Sequence, residues 1–155
     1  MRQFRHNPAR RGGFTLIELL AVMLILTILI SLIIGIGLVV RNKAAEQNTA
    51  NVQRLLTAAI EKYLEKNDKL PATVDDIRKL QVLLSTDKGA ADVEAKIPQN
   101  GRSTDGKSYV DGWGREMEFD PIGAMNDRPL IISAGPDGEF GTPNDKDNIR
   151  SDGAQ

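Results

Sequence analysis

Cysteine is absent from the 155 residues, and histidine occurs once, as His6. Lacking cysteine, the chain forms no disulfide and does no thiolate metal or redox chemistry. Because the one histidine sits ahead of the long apolar run, no base stands beside Ser133, and no Gly-x-Ser-x-Gly elbow surrounds that serine. Asp75 and Asp76 are adjacent, so on a helix they do not face each other and read as partners of an N-terminal helix dipole. An enzyme is not expected. Aromatic residues are scarce at 5%, and the one tryptophan, Trp113 in "DGWG", is expected to pack a sheet against a helix. Clustered basic residues are missing beyond the start of the chain. Residues 1–13 hold four arginines and no acid, whereas the remainder holds 16 Lys and Arg against 21 Asp and Glu. A mildly acidic body is a poor partner for phosphate backbones, so no nucleic-acid partner is expected.

What the chain does have is one apolar run. Residues 14–40 form it, and the 22 residues from Leu19 to Val40 carry no charge. As a helix those 22 residues span roughly 33 Å, enough for a hydrocarbon core of about 30 Å. A cleaved secretory signal has an apolar region of only about 7–15 residues followed by small residues. Here Gly12 and Gly13 precede the run instead. The segment therefore reads as a membrane anchor. Arg2, Arg5, Arg10 and Arg11 lie before it, and Arg41 and Lys43 after it, which places the N-terminus in the cytoplasm. Glu18 stands just inside this run, where a carboxylate either snorkels to the interface or marks a contact.

Beyond the anchor, Val52, Leu55, Leu56, Ala59, Ile60, Tyr63 and Leu64 recur at helical spacing. Gln53, Arg54, Glu61, Lys62, Glu65 and Lys66 fall between them and are expected to be solvated. The pattern predicts one helix over about residues 14–66, ended by Asn67-Asp68 and Pro71. A second helix is expected from Thr73, capped by that residue with Asp76 answering, its stripe being Val74, Ile77, Leu80 and Leu84. Residues 85–112 read as a long loop with at most a helical turn or two at 90–97. "REMEFD" alternates Met117 and Phe119 with glutamates and "PLIISA" is apolar, so both are strands, joined by a turn at Gly123 and Asn126-Asp127. The fold class is α+β, a long N-terminal helix packed on a small antiparallel sheet. Three segments follow: a basic leader at 1–13, the transmembrane helix at 14–40 and a globular domain at 41–155.

After Ala134 the chain reads "GPDGEFGTPNDKDNI", with Asp137, Glu139, Asp145 and Asp147 among three glycines. Such a loop has the oxygen donors a hard cation such as calcium takes, although the spacing is not that of an EF-hand. A solvated, frayed acidic loop is the alternative.

Two stretches carry a family resemblance. "RRGGFTLIELLAVMLILTILISL" resembles the leader and first helix of type IV pilins and type II secretion pseudopilins. The resemblance implies that a prepilin peptidase cuts between Gly13 and Phe14 and methylates the new amine of Phe14. Glu18 would then be the fifth residue of the mature chain and an assembly contact. "DGWGREMEFD" followed by "ISAGPDGEFGTPNDKDNI" resembles the C-terminal part of major pseudopilins of type II secretion. That likeness implies a calcium loop in which Ala134 gives a backbone oxygen, Asp137 a carboxylate, and Asp147 and Asn148 stand at the closing acidic pair. Asn148 departs from an acid there, the segment after Thr142 is about two residues longer, and Asp145 is placed to compensate. Implied with these are a pilin-like fold and a homopolymeric filament that drives protein export. Its partners would be minor pseudopilins, an inner-membrane assembly platform and the peptidase. The N-terminus would be cytoplasmic and the domain periplasmic. A type IV pilin or minor subunit for adhesion, motility or DNA uptake is the alternative, or a membrane-anchored calcium-binding protein.

Overall fold

A computed structural model describes residues 13–124, 128–141 and 145–153. The chain divides into two compact units, Met1–Val39 and Val40–Gln155. Helix α1, Leu16–Leu64, supplies the described helix of the first unit and the longest element of the second. In the first unit its side chains from Leu16 to Ile33 are exposed, and this 18-residue stretch is long and apolar enough to cross a membrane. Lateral exposure of leucine and isoleucine on that scale suits lipid rather than water. The basic leader, including His6 and its four arginines, lies outside the described residues.

In the second unit α1 turns a stripe of Val52, Leu56, Ala59 and Ile60 into the core. Asn67 closes the helix, its backbone and side-chain N–H groups both donating to the Tyr63 carbonyl at 3.0 Å. Helix α2 is Ile77–Thr86, and its cap is Asp76, whose carboxylate accepts from the Lys79 amide. The expected start at Thr73 is thus too early; Asp76 does the capping itself, and Thr73 lies in the turn before it. Val74, Ile77, Leu80 and Leu84 are buried as the stripe required.

Within the long loop, where a helical turn or two was expected at 90–97, helix α3 occupies Lys88–Glu94. Asp87 makes the break and the restart. Its amide donates to Leu83 at the end of α2, and its carboxylate accepts from Gly89 and Ala90 at the start of α3. A 3-10 turn follows at Gln99–Gly101, and single bridges join Arg102 to Tyr109 and Val110 to Glu116.

The sheet has three antiparallel strands in the order β1-β2-β3: Glu118–Ala124, Arg128–Ser133 and Ile149–Arg150. Glu118 pairs with Ile132 and Phe119 with Ile131, and Ile132 then pairs with Arg150 across the other edge. Gly123 belongs to β1, past a bulge after Asp120, rather than to the turn; Asn126-Asp127 lie outside the described residues. The core joins α1, α2, Tyr109, Met117, Phe119 and Ile131. Trp113 is not in it. The indole is half-buried at the surface, its Nε1 donating to Asn42 at 3.4 Å while the Arg115 guanidinium stacks 5.5 Å from its ring. Tyr109 is the central aromatic instead, fully buried with its hydroxyl on Glu94.

Candidate functional site

Two places answer to the sequence motifs, one in each unit. At the head of α1, Gly13 and Phe14 are exposed and precede the first helical turn. The Thr15 amide and hydroxyl both donate to Glu18 Oε2 at 2.9 Å, and the Glu18 amide donates back to Thr15 Oγ1 at 3.3 Å. This is a reciprocal capping box: Thr15 is the cap and Glu18 the third residue of the helix. The Thr-x-x-Glu signal stands in "FTLIE", and hydropathy reading passes over it. Glu18 therefore terminates its own helix as well as offering charge at the edge of an apolar surface.

The second place is the loop between β2 and β3. Ser133, the last residue of β2, is fully buried, and Gly135 turns the chain with φ +67°. A Cβ on Gly135 would lie 2.2 Å from the Asp147 carbonyl oxygen, so only glycine lets residues 134–136 meet the returning segment. Asp145–Asp147 is a 3-10 turn leading straight into β3. The structure thus brings Ala134 close to Asp147 and Asn148, which are far apart in sequence. Asp147 Oδ1 is buried and, among the described residues, accepts no hydrogen bond. A buried carboxylate oxygen without a donor is a costly arrangement that a cation would relieve. Asp137 folds its carboxylate onto the Glu139 amide at 3.0 Å. The Asp145 side chain and residues 142–144 lie outside the described residues. No group of three or more His, Asp or Glu side chains converges on one point among the described residues.

Residues that escaped the sequence reading hold this loop in place. Gln53 was expected in solvent but is 3% exposed, and its Nε2 donates to Ile131 O at 3.1 Å and Ile149 O at 2.7 Å. Its position on the polar side of the stripe hid it, because the sheet covers more of α1 than the apolar residues do. Thr49, also buried, takes the Gly112 amide on its hydroxyl at 2.8 Å.

Comparison with known proteins agrees with the N-terminal motif and with the family likeness of the remainder. The family described as prokaryotic N-terminal methylation motif matches residues 8–34. The family described as type II secretion system (T2SS), protein G matches residues 38–152, most of the chain. The chain belongs to the protein G family of type II secretion. Type II secretion system core protein G of Escherichia coli K12 is 28% identical over 145 residues, covering 90% of this chain and 91% of that protein. The core protein G of Aeromonas hydrophila is 29% identical over 144 residues, covering 90% and 92%. No solved structure matches significantly. Protein G membership makes the chain a pseudopilus structural subunit and disfavours a type IV pilin or an anchored calcium binder. The family is one of structural pseudopilins and not a known enzyme class.

Proposed function

We propose that this protein G subunit matures by cleavage between Gly13 and Phe14, with methylation of the Phe14 amine, and then polymerises through its apolar helix. The observation that carries this reading is the methylation motif placed directly on an exposed apolar helix that opens at Thr15 and Glu18. Before assembly the subunit sits in the inner membrane, with the leader cytoplasmic and residues 41–155 periplasmic. Glu18 then pairs with the Phe14 amine of a neighbouring copy, so two charges that are costly in lipid meet each other. Repetition of one non-closing contact gives a helical filament. Minor pseudopilins, the inner-membrane assembly platform and the prepilin peptidase are its partners, and export of folded proteins is its task. Co-expression with a prepilin peptidase, followed by mass measurement, tests the first step. A chain starting at methylated Phe14 is expected; an intact chain would overturn the reading.

In the same proposal calcium is held by the Ala134 carbonyl, Asp137, Asp145, Asp147 and Asn148. The buried Asp147 Oδ1 and the close approach at Gly135 support it. Bound calcium would neutralise the carboxylates and tie the two arms of the loop together. With a dissociation constant of about 10⁻⁴ M, millimolar calcium stabilises the fold by about 1.4 kcal/mol. Thermal melts of the full chain in detergent should then fall by about 5 °C when chelator replaces calcium. Equal melting temperatures, unaltered by Asp137→Ala, would reject the metal.

A further inference from the structure

We propose that Asp111 and Arg115 are positioning residues for the C-terminal loop, forming a metal-independent brace that holds residues 133–138 where a cation meets them. The proposal rests on the cation reading of that loop, whereas the brace is a matter of protein contacts alone.

Asp111 is 1% exposed and every near contact of its carboxylate serves one purpose. Oδ1 accepts from the Trp113 and Arg115 amides, both at 2.9 Å, which folds residues 111–115 into a tight turn. Oδ2 accepts from the Ser133 hydroxyl at 2.7 Å, twenty-two residues away. Ser133 Oγ in turn accepts from the Gly135 amide at 3.1 Å. The Arg115 side chain returns from the same turn, lies 3.8 Å from Asp111 Oδ2 and donates to the Gly135 carbonyl. The Gly135 carbonyl is therefore satisfied directly from the 111–115 turn, and its amide through Ser133, whose hydroxyl Asp111 holds. Gly138 completes the fit, since a Cβ there would overlap the Arg115 guanidinium.

The turn is itself fixed to α1. Gly112 sits so close to that helix that a Cβ would lie 2.1 Å from the Ala45 carbonyl, and its amide is held by Thr49. The returning arm is fixed separately, by Gln53 on the Ile149 carbonyl and by the Ser133–Ile149 ladder pair. Charge matters too. Asp111 and Arg115 compensate each other, so the brace orders the arm without setting a net positive charge beside a cation site. Arg115 also occupies the Gly135 carbonyl, next to the Ala134 carbonyl that the family resemblance assigns to a metal. A prearranged arm lowers the ordering cost of binding and so raises affinity.

The experiment uses the full chain in detergent micelles and hydrogen exchange at residues 133–138, first in chelator and then through a calcium titration. In chelator the wild-type Gly135 amide is expected to be protected. Ser133→Ala and Arg115→Gln should each speed its exchange by about tenfold or more, leave α2 and α3 unchanged, and weaken calcium binding by about tenfold. A merely structural role would speed exchange across the domain at unchanged calcium affinity. Ser133→Ala keeps the Asp111–Arg115 pair, so it remains informative if Arg115→Gln fails to fold. Unprotected Gly135 in wild-type chelator samples, or variants that bind calcium like the wild type, would overturn the proposal. An arm protected in chelator and loosened by the variants, yet indifferent to calcium, would overturn the cation reading and with it the positioning role.

Discussion

Tyr109, Glu94 and Arg102 share one small volume beneath α3, and the three cannot be altered independently. Glu94 Oε1 accepts from Arg102 and from the Tyr109 hydroxyl, the latter at 2.9 Å, with the guanidinium 5.9 Å from the phenol ring. The two ionised side chains are only 7% and 18% exposed, so their stability depends on each other. Arg102→Ala would leave Glu94 buried without a cation and should cost about 3–5 kcal/mol, measured by denaturant unfolding. Burial, and next the Glu94 carboxylate, push the Tyr109 phenol well above its ordinary value of about 10. In the unfolded chain the phenol ionises near pH 10, while in the folded chain it keeps its proton. Stability is therefore unaffected below pH 10 and falls as pH rises beyond it. Tyr109→Phe should flatten that alkaline decline while losing about 1 kcal/mol at neutral pH, as titrated melts would record.

Elements differ in how plainly the sequence announces them. The second half of α1 and the stripe of α2 were legible because apolar residues recur there over several turns. Helix α3 was legible only as a helical turn or two at 90–97, since its seven residues offer just Ala90, Ala91 and Val93 as apolar signals and its start is set by the Asp87 cap. Asp87→Ala should destabilise the domain and raise exchange in residues 88–94 first, as hydrogen exchange would record. Strand β3 has two residues, too few for any period. The side chains that hold the C-terminal loop in place were not legible. Gln53, Thr49 and Asp111 act through contacts 96, 63 and 22 residues distant, and nothing local marks them. Trp113 misled for a related reason: its size suggested the core, but the turn that Asp111 ties turns the indole toward Asn42.

At the scale of the whole molecule the open matter is what Glu18 does once the leader is gone. The capping box gives the carboxylate a local task, which a monomer enjoys as fully as a filament. A capped helix end therefore cannot by itself favour polymerisation. The proposed pairing of Glu18 with a neighbour's Phe14 amine would, because it would relieve two charges together that lipid otherwise penalises separately. The roles separate by substitution. Glu18→Gln keeps an acceptor for the Thr15 amide, and so most of the cap, but removes the charge. Thr15→Ala keeps the charge and removes the hydroxyl from the cap. In cells carrying the peptidase and the secretion apparatus, Glu18→Gln should abolish filaments while the processed chain stays in the membrane fraction. Thr15→Ala should lower filament yield modestly at most. Loss of filaments in Thr15→Ala alone, with Glu18→Gln assembling normally, would reduce the glutamate to a helix cap and require another contact to set the stagger of the subunits.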